Sequence, residues 1–128
     1  MQRDLLICAF GVAQQAGIAA LRQADPDVER MRQIYDERRK YMIARLREIG
    51  FEIKVVPQGA FYVFANACKF TTDSYRFAFD VSNMRMSALL PAWTLEREGY
   101  VRFSYADSLE NIKESLNRIS RYLSRHGF

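Results

Sequence analysis

Glu98-Gly-Tyr-Val-Arg-Phe-Ser-Tyr-Ala-Asp107 decides the fold. A glycine turn feeds a short run of aromatic and β-branched residues interrupted by one charge, Arg102. Side chains alternate across a strand, so Val101, Phe103 and Tyr105 share one face while Tyr100, Arg102, Ser104 and Ala106 share the other. The apolar set predicts a core face. The arginine then lies among polar groups, where a planar fork of donors suits a carboxylate or a phosphate. Solvated edge-strand arginines and structural ion pairs give the same pattern and are the more common case, so spacing alone does not make Arg102 an anion clamp.

Downstream, Asp107 and Glu110 have the spacing of a capping box with Asp in place of Ser or Thr. Leu109, Ile112, Leu116, Ile119 and Leu123 follow as the apolar stripe of a closing helix. Upstream, Thr71-Thr72-Asp73 offers a cap for a short helix from Ser74 to Val81, with Tyr75, Phe77, Ala78 and Val81 turned partly inward. Met86 to Leu90 reads as a strand stopped by Pro91, before a loop holding the only tryptophan, Trp93. Phe51 to Val56 alternates apolar with charged, and Pro57-Gln58-Gly59 turns it into the almost wholly apolar Gly59-Ala-Phe-Tyr-Val-Phe-Ala. The two predict an antiparallel hairpin whose second strand is the more buried.

Asp25-Pro26 reads as a cap and a first-turn proline opening a long helix. Its stripe is Val28, Met31, Tyr35, Met42, Leu46 and Ile49, and Gly50 ends it in the left-handed region. Before it, Val12 to Gln23 predicts a helix whose alanines suit close packing on a neighbour, led by the apolar run Leu5 to Ala13. The order is helix, long helix, hairpin, short helix, one or two strands, helix. That order predicts an α+β sandwich: three or four antiparallel or mixed strands with helices on one face.

The chain has 128 residues, of which 49% are hydrophobic and 27% charged, the make-up of one domain with a real core. Nineteen basic residues are interleaved with fifteen acidic ones, and Arg38-Arg39-Lys40 follows Asp36-Glu37, which argues against nucleic-acid binding. Leu5 to Ala13 is short for a membrane span and lacks a signal-peptide cleavage pattern. Cys8 and Cys68 read as buried free thiols, which points to the cytoplasm. The single histidine, His126, sits in the tail, so a His-based metal site or triad is not expected. No glycine-rich phosphate loop occurs, and Lys40, Lys54, Lys69 and Lys113 fall in polar or surface contexts. From the residues alone there is a folded domain and no reaction.

Five blocks together resemble the C-terminal part of class I/II, pyridoxal-phosphate-dependent aminotransferases of the aspartate aminotransferase type. They are Gln14-Gln15 with the alanine-rich helix to Leu21; Tyr35-Asp-Glu-Arg-Arg-Lys-Tyr-Met with Leu46-Arg-Glu-Ile-Gly-Phe; Pro57-Gln-Gly-Ala-Phe-Tyr-Val-Phe; Gly99-Tyr-Val-Arg-Phe-Ser-Tyr-Ala; and Ser108-Leu-Glu-Asn-Ile. The resemblance implies residues 1–24 as a segment leading from a large domain and 25–128 as the small domain. It implies that Arg102 binds the α-carboxylate of an amino-acid or 2-oxo-acid substrate, with Gly59 to Phe64 as scaffold. It further implies that the Schiff-base lysine, the phosphate-binding residues and the aspartate on the pyridine nitrogen precede the point matching Met1. Pyridoxal phosphate is then expected in the full-length parent and not on this chain alone, which should be inactive alone, with Leu5 to Ala13 packed on the large domain. The stretch 82–97 departs from the family's pattern, keeping only Pro91 before the Gly99 turn. The alternative is a stand-alone binding or dimerisation module, a homodimer through the first helix.

Overall fold

The computed structural model describes residues 10–82, 89–91 and 99–128, in two compact units meeting between Ile34 and Tyr35. Trp93, Cys8, Met86 to Ala88 and most of Leu5 to Ala13 lie outside the described residues.

In the first unit, α1 spans Gly11–Gln23, and α2, Asp25–Ile49, opens there and continues into the second. No residue of α1 is buried within the chain, so the close packing expected of its alanines is not met here. Asp25 is the first residue of α2 rather than its cap. Val28 and Met31 of the predicted stripe are exposed.

The second unit holds the core. The buried part of α2 is Met42, Ile43 and Leu46. Gly50, at φ 110°, closes the helix: its N–H bonds the Arg47 carbonyl at 3.0 Å and the Phe51 N–H bonds the Leu46 carbonyl at 3.0 Å. Those two bonds satisfy carbonyls the helix would leave bare, and the second requires the left-handed residue between them. Three strands form one antiparallel sheet in the order β1-β3-β2: β1 Tyr62–Asn66, β2 Leu89–Pro91 and β3 Tyr100–Ser104. Pro91 ends an edge strand, where a residue lacking an N–H is tolerated. Helices α3, Ser74–Ser82, and α4, Leu109–Arg125, complete the unit. Val63, Ala65, Val101, Phe103 and Tyr105 pack with Met42, Leu46, Phe77, Val81, Ile112, Leu116, Ile119 and Leu123, all buried, on one face of the sheet. The α+β sheet-and-helix architecture expected from the sequence is therefore present.

Several local expectations change. Phe51 to Val56 forms no strand among the described residues, and a single bridge, Glu52 to Asn66, replaces the hairpin. β1 instead pairs along its whole length with β3. Its side chains alternate in burial, and Phe64 is 40% exposed, so β1 is not buried on both faces. Tyr75 faces outward. The cap of α4 is Ser108, whose Oγ accepts from the Asn111 N–H at 3.1 Å. Asp107 accepts instead from the Ser108 N–H at 2.7 Å and from the Asn111 amide at 2.9 Å. Cys68 is a free thiol, as expected, but an exposed one.

Candidate functional site

Alternation along β1 and β3 leaves the residues of the second sheet face half-buried or exposed. Cross-strand register sets Phe64 opposite Arg102, Tyr62 opposite Ser104 and Asn66 opposite Tyr100. Residues directly opposite share a face, so Arg102 stands in a patch of aromatic and small polar groups. Val101 and Phe103, its neighbours along the chain, are buried on the other side and fix the strand beneath it.

The Arg102 guanidinium carbon lies 4.5 Å from the centre of the Tyr62 ring. Its Nε is buried and has no hydrogen-bond partner among the described residues. None of the ion pairs among those residues involves Arg102. Every other arginine within α2 that forms a described ion pair is matched with a carboxylate on its own helix. A strand arginine on an aromatic face, with no acid partner among the described residues, has in-plane donors that suit an anion.

The chain entering β1 is held by two side chains. Tyr105, the last buried aromatic after β3, donates its hydroxyl to the carbonyl of Ala60 at 3.0 Å and that of Gly59 at 3.3 Å, and its N–H to the Phe61 carbonyl at 2.9 Å. Burial pushes its hydroxyl above the usual tyrosine range. Ala60 sits at φ 59°, where a side chain is unfavourable, so these bonds hold a turn the chain would otherwise leave. From α2, Arg39 donates to the Pro57 carbonyl at 3.0 Å while paired at 2.6 Å with Asp36. Asp36 also pairs with Lys40 at 2.7 Å, and Lys40 first, then Arg39, hold its carboxyl down at about 2. Asp36 thus offsets one of the two charges in the Arg39-Lys40 part of the basic cluster.

Sequence reasoning singled out Arg102 and placed it on the correct face. It did not anticipate the contact between the Tyr62 ring and Arg102, because the pairing of β1 with β3 is long-range. Period-2 alternation already placed Tyr62 and Phe64 on one face; only the long-range register was illegible.

The chain's four lysines are all at the surface. Lys40 pairs with Asp36, Lys54 stands 4.0 Å from Glu52, and Lys69 and Lys113 lie over the rings of Phe70 and Tyr41. A Schiff-base lysine needs an amine placed in a sheltered pocket, so these residues do not fit a complete pyridoxal phosphate site. His126 is exposed, stacked on Tyr122 with ring centres 4.1 Å apart. Among the described residues no helix is long and apolar enough to cross a membrane.

Comparison with known proteins gives the family. The family model for aminotransferase class I and II matches residues 1–119. An aspartate aminotransferase of Pyrococcus horikoshii is 40% identical over 115 residues, which are 86% of this chain and 29% of that protein. A (5-formylfuran-3-yl)methyl phosphate transaminase of Methanocaldococcus jannaschii is 33% identical, over 98% of this chain and 34% of its own length. The solved structure of a Thermus thermophilus aspartate aminotransferase mutant superposes with a TM-score of 0.83 at 31% identity, covering 93% of this chain and 33% of that one. The chain thus spans about a third of the length of the relatives it matches. With the family model matched across residues 1–119 and a three-stranded sheet that superposes on a solved aminotransferase, the chain belongs to the aminotransferase class I and II family.

Proposed function

We propose that residues 25–128 serve as the small C-terminal domain of a pyridoxal-phosphate-dependent aminotransferase, that residues 1–24 lead into it from the large domain, and that Arg102 anchors the substrate α-carboxylate. The observation that carries this reading is Arg102 itself: a rigid-strand guanidinium on the sheet face opposite the core, with no acid partner among the described residues. A fork held in this way fixes a carboxylate in two directions at once, which orients the carbon next to it for chemistry supplied by another part of the enzyme. The substrates are an amino acid and a 2-oxo acid, the setting is the cytoplasm, and the cofactor belongs with the large domain. The absence of a sheltered lysine among the described residues supports that division.

The exposed apolar side chains Val12, Ile18, Leu21, Val28 and Met31 fit a surface that the large domain covers. A homodimer formed by a free-standing module through this helix is the alternative, and the family match along nearly the whole chain does not favour it.

Mixing the purified chain with pyridoxal phosphate tests the division of labour. The expected result is weak, non-stoichiometric reaction at surface lysines with no spectral response to amino acids. A stoichiometric adduct whose absorbance shifts on adding an amino acid would overturn it.

A further inference from the structure

The Arg102 side chain has three methylenes of freedom, and an unrestrained arginine would lose rotamer entropy in meeting a ligand. Here part of that ordering is already done. The guanidinium carbon lies 4.5 Å from the Tyr62 ring centre, and Nε is too buried for water to reach. Tyr62 is itself backed by Phe61, with ring centres 4.3 Å apart, and the turn before it is tied to β3 by the Tyr105 hydroxyl. A buried N–H without an oxygen partner is costly, and the electron-rich ring face offsets part of that cost.

We propose that Tyr62 is a positioning residue for Arg102. Its ring holds the guanidinium in one orientation, and the burial of Nε leaves the two Nη groups as the edge that receives a carboxylate, end-on rather than through the Nε–Nη side. The inference rests on the reading of Arg102 as a carboxylate anchor.

The test uses the full 128-residue chain, with 3-phenylpropanoate as probe and side-chain nitrogen-edited NMR as readout. In the unliganded chain the Arg102 Nε–H resonance is shifted upfield by the ring, with nuclear Overhauser contacts from Tyr62 ring protons to the Arg102 δ-methylene. On titration the Nη signals move more than Nε–H. Tyr62→Phe retains the wild-type affinity within about twofold, whereas Tyr62→Leu weakens it about five- to tenfold. Loss of binding in Arg102→Gln with wild-type affinity in Tyr62→Leu overturns the positioning role and leaves the anchor standing. Unchanged binding in Arg102→Gln overturns the anchor itself. Should Tyr62→Leu fail to fold, the wild-type spectrum decides: absence of the ring shift and of the Tyr62–Arg102 contacts overturns the proposal.

Discussion

Gly99 sits at φ 83° at the entrance to β3, donates its N–H to the Ser74 hydroxyl at 3.3 Å and accepts the Ala67 N–H at 2.8 Å. A Cβ at this position would collide with the Cys68 sulfur. Two separate costs therefore attend Gly99→Ala: left-handed strain of about 1 kcal/mol and a smaller one for turning the exposed Cys68 thiol away. Urea unfolding should show the sum for Gly99→Ala alone and only the strain for the Gly99→Ala, Cys68→Ala pair. A residue-level pH effect belongs to Asp36. Its folded-state pKa, about 2, lies below the ordinary carboxylate value, so its contribution is present above pH 4 and is lost as pH falls toward 2. Asp36→Asn should make the stability curve flatter between pH 4 and 2, measured by acid titration of the unfolding midpoint; a curve as steep as the wild type would contradict the assignment. Arg102 was visible as an intruding charge in an apolar run. The ring beneath it was not, because a residue two strand positions off the cross-strand partner is fixed by register and not by anything local.

At the scale of elements, punctuation read well where the signal is local. Gly50 ends α2 with both expected bonds, Asp73 Oδ1 accepts the Arg76 N–H at 2.9 Å at the start of α3, and the stripe of α4 is buried from Ile112 to Leu123. Misreadings fall where two local candidates compete or where a partner is distant. Asp107 and Ser108 both suit a cap, and backbone geometry, extended at Ser108, decides for the serine. Ser108→Ala is expected to cost about 1 kcal/mol and Ser108→Asp to stay near wild type, since either oxygen can accept the third-residue N–H. Thermal unfolding distinguishes these. The stretch Phe51 to Val56 alternates as a strand should, with Phe51 and Ile53 buried. A single bridge forms on the outer edge of β1, whose inner edge carries the ladder with β3, and the chain between is held instead by Arg39 at Pro57 and by Tyr105 at Gly59 and Ala60.

At the scale of the molecule, the proposed role of the chain is half of a reaction site: a cation for the part of the substrate that does not react. Its share of the length of its relatives, about a third, agrees with that division of labour. The α+β class was legible because the periods of 2 and 3.6 alternate in clear blocks, while the grouping of side chains on the second sheet face was not, since periodicity does not mark which strands pair. The most direct measurement is the affinity of the chain for 3-phenylpropanoate compared with its neutral amide, in the wild type and in Arg102→Gln. Saturable binding of the acid, no response to the amide, and at least a tenfold loss in Arg102→Gln are predicted, in keeping with about 1.5–3 kcal/mol for a charge-assisted pair. Equal binding of acid and amide, or an acid affinity that survives Arg102→Gln, would contradict it.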